Sequence, residues 1–83
     1  MEISVDISLY PLKDEYVEPI LAFIKAVESA PNITVERNSL STQVFGDYKT
    51  VMALLEKEIY SAFEVLPHSV FILKLVGNNR HGQ

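Results

Sequence analysis

An α+β sandwich, with one antiparallel sheet covered on one side by two helices, is the fold class that this sequence predicts. Three observations predict it. Apolar and polar residues alternate over residues 2–10, apolar residues recur every three to four positions over 14–29 and again over 48–64, and short β-prone runs fill the remaining intervals.

The first element reads Glu-Ile-Ser-Val-Asp-Ile-Ser-Leu-Tyr over residues 2–10. A strand sends successive side chains to opposite faces, so Ile3, Val5, Ile7 and Leu9 share one face and Ser4, Asp6, Ser8 and Tyr10 the other. From Asp14 to about Ser29 the apolar positions become Val17, Ile20, Leu21, Ile24 and Val27, the spacing of an amphipathic helix, with Asp14 placed to cap it. Pro19 removes a backbone donor, which moves the expected start of regular helix toward Glu18. Pro31 and Asn32 then break the chain. Ile33–Arg37 and Leu40–Phe45 are β-prone runs around the turn formers Asn38 and Ser39, which predicts a hairpin. Gly46-Asp47 ends the hairpin and can cap a second helix from Tyr48 to about Glu64, built on Val51, Leu54, Leu55, Ile59, Ala62 and Phe63. Pro67 stops that helix, and Ser69–Val76 is dense in β-branched and aromatic residues, a final strand.

The resulting order, strand, helix, strand, strand, helix, strand, makes two βαβ-like halves. With right-handed crossovers these form a ferredoxin-like sandwich, βαββαβ, whose first and third strands are central and whose sheet has one face without helices. Residues 1–77 make the single domain, and the polar tail 78–83 is expected to fray. On the helix-free face the first strand contributes Ser4, Asp6, Ser8 and Tyr10, and the last strand Val70, Ile72, Lys74 and Val76. The parity of the third strand stays open, because Leu40, Thr42 and Val44 or Ser41, Gln43 and Phe45 both make acceptable inner sets. Apolar residues along one edge of this face suit association with a second copy, as contiguous exposed apolar surface does in general.

Composition narrows the function. The chain has 83 residues, 48% hydrophobic and 22% charged, with no cysteine, so neither disulfides nor thiolate metal sites nor thiol chemistry are available. A domain this small buries only about 60% of the surface that its unfolded chain exposes, and self-association is the remaining source of stability. Seven Lys and Arg against eleven Asp and Glu give a net charge of −4, and the basic residues stand singly, so nucleic acid is a poor partner. No run approaches the roughly 18 apolar residues of a membrane span, and residues 1–10 alternate where a leader would have a continuous apolar core. The expected compartment is the cytoplasm.

Catalytic signals are weak. His68 follows Pro67 at a turn and His81 lies in the tail, and neither has an evident Asp or Ser partner. No HExxH, P-loop or GxGxxG pattern occurs. Asp6 and Glu36 are a conceivable carboxylate pair whose separation no spacing fixes. The Asn32-Ile33-Thr34 triplet matches a glycosylation acceptor, which has no consequence without secretion.

Two stretches, Ile7-Ser8-Leu9-Tyr10-Pro11-Leu12 before the acidic start of a helix and Leu40-Ser41-Thr42-Gln43-Val44-Phe45-Gly46-Asp47, carry a resemblance to the thiamine/hydroxymethylpyrimidine-binding YkoF family and to related single-domain thiamine-binding proteins. It covers residues 2 to about 76. The resemblance implies a non-catalytic binding protein for thiamine or its hydroxymethylpyrimidine moiety, in uptake or salvage, with no other cofactor. YkoF carries two such domains in tandem, so a single domain implies a homodimer or homotetramer. The last strand departs from the single-domain relatives, because Lys74 leads into Gly77-Asn78-Asn79-Arg80 where they have an acidic and basic tail.

An aminopyrimidine presents an amine donor beside ring acceptors. Asp6 and Gln43 with the hydroxyls of Ser8, Ser41 and Thr42 can satisfy it, and Tyr10 can stack on it; these six residues are the expected ligand contacts. The alternative is a regulatory or protein-interaction module of the same fold that binds another partner through its open sheet face. A small enzyme of this fold is the third possibility.

Overall fold

β1 (Glu2–Tyr10), α1 (Val17–Glu28), β2 (Ile33–Arg37), β3 (Thr42–Asp47), α2 (Tyr48–Val65) and β4 (Val70–Val76) follow one another in the expected order in the computed structural model, which describes residues 1–10 and 17–82. The strands form one sheet in the order β2-β3-β1-β4, antiparallel throughout, with β1 and β3 central. This is the ferredoxin-like sandwich.

The core lies between the sheet and the helices. Ile3, Val5 and Ile7 of β1, Val44 of β3, Phe23 and Val27 of α1, and Val51, Leu55 and Ala62 of α2 form it. Along α1 the inward stripe is Ile20, Phe23, Ile24 and Val27, at three- and four-residue spacing, whereas Leu21 is 51% exposed. Phe23 takes the inner position because its ring meets the edge of Phe71 at 5.2 Å, and Phe71 meets Phe63 at 5.3 Å. Edge-to-face contacts at this distance satisfy the ring quadrupoles. Pro19 is the third residue of α1, where its missing N–H is one that a helix start leaves unpaired anyway. The cap expected from Asp14 lies outside the described residues.

α2 starts as expected. Asp47 is extended (φ −63°, ψ 137°) and its carboxylate accepts from the Thr50 backbone N–H at 3.3 Å. That donation, the largest influence, together with the nearby N-terminal ammonium, holds the Asp47 carboxyl below the ordinary aspartate range.

The register settles the parity of β3. Ile7, Val5 and Ile3 pair with Thr42, Val44 and Gly46, so these three face the helices, while Gln43 and Phe45 face away with Asp6 and Ser4. Gly46 gives the physical reason. A Cβ there would stand 3.3 Å from both the Asn32 carbonyl oxygen and Val51 Cγ2, so the position beneath α2 accepts no side chain without movement.

Residues 78–82 turn back over the helix-free face, where the Ser4 hydroxyl donates to the Asn78 carbonyl at 2.8 Å and accepts from the Arg80 N–H at 2.8 Å. Polar composition alone suggests solvation, but this segment finds partners on a face that no helix covers.

Candidate functional site

The helix-free face presents its polar side chains in a transverse row. Glu36 of β2 pairs with Gln43 of β3, Gln43 with Asp6 of β1, and Asp6 with Lys74 of β4. The next row toward the tail is Thr34, Phe45, Ser4 and Val76. In the other direction Ser8 pairs with Ile72 and Tyr10 with Val70. The face therefore has a polar centre, a mixed aromatic and hydroxyl end under the tail, and an apolar margin along β4.

Asp6 is the best defined group of the centre. Ser41 Oγ donates to its Oδ1 at 2.6 Å, a short, charge-assisted hydrogen bond. The hairpin turn places Ser41 for this contact. Asn38 Oδ1 accepts from the backbone N–H groups of Leu40 at 2.8 Å and Ser41 at 3.1 Å, and the Asn38 N–H donates to the Ser41 carbonyl at 3.0 Å, which holds the turn closed. A carboxylate has about four acceptor positions on two oxygens, so one bond from Ser41 leaves Asp6 able to take further donors. Asp6, Ser8, Ser41 and Gln43 are all half-buried, accessible yet partly shielded from water.

The six expected contact residues do not all converge. Asp6, Ser41 and Gln43 come together at the centre, Ser8 lies one step along β1, and Tyr10, 51% exposed, lies one step further. At about 3.3 Å per residue, Tyr10 stands roughly 13 Å along the strand from Asp6. Thr42 is apart from them: it pairs with Ile7 on the helix side and is buried at 7% exposure. A cleft of about 200 Å³ at this end of the sheet is lined by Ser8, Ser41 and Thr42 together with Phe23, Ile24 and Asn38 among others. Sequence reasoning takes Asn38 only as a turn former; its second role, aiming Ser41 at Asp6, follows from a turn geometry that composition does not encode.

Glu36 shares the face with Asp6 but stands two strands away, about 10 Å at ordinary strand spacing. That is too far for the two carboxylates to share a proton. His68 is exposed at the turn before β4. Among the described residues no group of three or more His, Asp or Glu side chains is placed to hold a metal ion, and no helix is long and apolar enough to cross a membrane.

Comparison with solved structures places this arrangement in a known fold. A protein from Thermotoga maritima proposed to act in thiamine biosynthesis or salvage superposes with a TM-score of 0.79 at 18% identity, over 90% of this chain and 82% of that one. A Streptococcus pneumoniae protein superposes with a TM-score of 0.86 at 15% identity, over 99% of this chain and 92% of that one. A hypothetical protein from Methanocaldococcus jannascii gives 0.78 at 16% identity, over 95% and 82%. At these identities the likeness is one of fold. Among curated protein sequences none matches at a significant level. The model of the YKOF-related family, in contrast, matches residues 2–79, which include every strand, both helices and the Asp6–Ser41–Gln43 centre, and by that match the chain belongs to the YKOF-related family.

Proposed function

We propose that this protein binds thiamine or its hydroxymethylpyrimidine moiety on the helix-free face, without chemical transformation, in uptake or salvage of the vitamin. The observation that carries the proposal is the Asp6 carboxylate, oriented by Ser41 at 2.6 Å and flanked by the Gln43 amide. An aminopyrimidine offers a donor amine next to an acceptor ring nitrogen, and a carboxylate beside an amide can answer both at once. Ser8 supplies a hydroxyl along β1, and Tyr10 offers a ring face for stacking or for cation–π contact with a thiazolium. A two-ring ligand would then lie along β1 with its pyrimidine over Asp6. Thr42, on the helix side, would reach such a ligand only through the cleft at the sheet end. Membership of the family and the thiamine role proposed for the Thermotoga protein agree with this assignment.

A second use of the same face is favoured by Val70, Ile72 and Val76, which are 45%, 51% and 42% exposed along the free edge of the sheet. We propose that a second copy covers them, giving a homodimer or homotetramer, and that the protein works in the cytoplasm. Calorimetric titration with thiamine and, separately, with hydroxymethylpyrimidine tests the ligand assignment. Saturable binding supports it, and its stoichiometry separates one site per chain from one per interface. No heat and no thermal shift with either compound would refute it and leave a protein-interaction module as the better account.

A further inference from the structure

Two residues of the helix-free face are buried although no helix covers them. Ser4 is 7% and Phe45 5% exposed, whereas Tyr10, Val70, Ile72 and Val76 of the same face are all above 40%. The difference is the returning tail. The Ser4 hydroxyl both donates to it, at Asn78 O, and accepts from it, at Arg80 N. Asn79 Nδ2 donates to Glu2 Oε1 at 3.1 Å, and the His81 N–H donates to Asn79 Oδ1 at 2.9 Å, which turns the segment across the strands. The His81 ring then lies edge-on to Phe45, with centroids 5.0 Å apart, and its Nε2 stands 3.5 Å from Glu36 Oε1. The charges match. The segment brings Arg80 to a face that, among the described residues, carries Glu2 and Asp6 on β1 and Glu36 on β2, against the single Lys74 on β4.

We propose that residues 78–82 are a displaceable lid, held in cis over the Phe45 end of the helix-free face, and that this lid limits association of the face with a second copy of the chain. The fastening is light. It consists of a few hydrogen bonds, one exposed contact between His81 Nε2 and Glu36 Oε1 and one ring contact, and segments held this way open far more often than the core beneath them. Its removal would uncover Phe45 on β3, across Ser4 from Val76 in the same row, and so enlarge the apolar area that a second copy could cover. This inference concerns access to the face and does not rest on which small molecule the face binds.

Amide hydrogen exchange and sedimentation velocity test it together. In the full chain the Arg80 amide should exchange on the order of tenfold more slowly than an unstructured amide. Ser4→Ala, which removes both bonds while leaving the helix side untouched, should abolish that protection. A chain ending at Gly77 and the full-length Ser4→Ala variant should both self-associate at lower concentration than the unaltered chain; the second keeps the test valid if the truncated chain folds poorly. Exchange of the Arg80 amide at the unstructured rate in the full chain would overturn the lid itself. Protection of that amide, with association unchanged in the two altered chains, would overturn its role in access.

Discussion

Replacing Asp6 by Asn separates the charge of the central carboxylate from its shape. Asn keeps an oxygen that can accept from Ser41, so the contact at 2.6 Å survives as a neutral hydrogen bond and the fold loses little. What the ligand loses is a charged acceptor. Hydrogen bonds to charged groups contribute about 1.5–3 kcal/mol against about 1 for neutral ones, so the expected cost of the exchange is about 0.5–2 kcal/mol. That is a roughly 2- to 30-fold rise in Kd. Ser41→Ala, which leaves the charge but frees the carboxylate, should cost about 1 kcal/mol in binding through lost orientation. Thr42→Val is the internal control. It lies on the other side of the sheet, so the affinity of this variant should match that of the unaltered protein. The assay is calorimetric titration of the three variants with hydroxymethylpyrimidine, each checked for an unchanged circular dichroism spectrum. Equal affinity for Asp6→Asn and the unaltered protein, or a larger loss for Thr42→Val than for Asp6→Asn, would refute a site centred on Asp6 and move it toward the cleft at the sheet end.

Three further outcomes are expected. Ile72→Asp places a charge at the centre of the exposed β4 margin and should abolish self-association while shifting the stability of the single chain by no more than about 0.5 kcal/mol, as at other exposed sites; an unaltered sedimentation coefficient would exclude this margin from the interface. Leu55→Ala, at a position 2% exposed between α2 and the sheet, should cost about 2–5 kcal/mol in denaturant unfolding, and a smaller loss would mean that the helix settles into the cavity. Asp47 is held below the ordinary aspartate value chiefly by the Thr50 N–H, so its contribution is fully present above about pH 4 and is lost as the pH falls through its lower folded-state value. Asp47→Ala should accordingly lower the thermal midpoint at neutral pH and make the midpoint less sensitive to acid than that of the unaltered protein.

Much of the fold was legible from local pattern. Alternation in β1, the three- and four-residue spacing in α2, and the Gly46-Asp47 boundary each correspond to a structural element with matching faces. The inward stripe of α1 was less so, because Leu21 and Phe23 are both apolar and only the Phe71 ring, 48 residues further along the sequence, decides which of them the core takes. Asp6, Ser8 and Tyr10 share a face as alternation requires, but Gln43 joins them only through the register of β3, the Ser41 contact depends on a turn closed by Asn38, and Thr42 follows β3 to the opposite side.

By itself the sequence determined the element order, the fold class and the residues of β1 and β4 that a helix-free face would show, because side-chain periodicity and turn chemistry act over a few neighbouring residues. Tertiary structure alone decided the parity of β3, the row from Glu36 to Lys74 and the return of the tail onto Ser4 and Phe45. Each of these depends on strand register or on contacts between residues more than 25 positions apart, such as Ser4 with Asn78, where no local pattern carries the information and only the close fit of one layer against another selects the outcome.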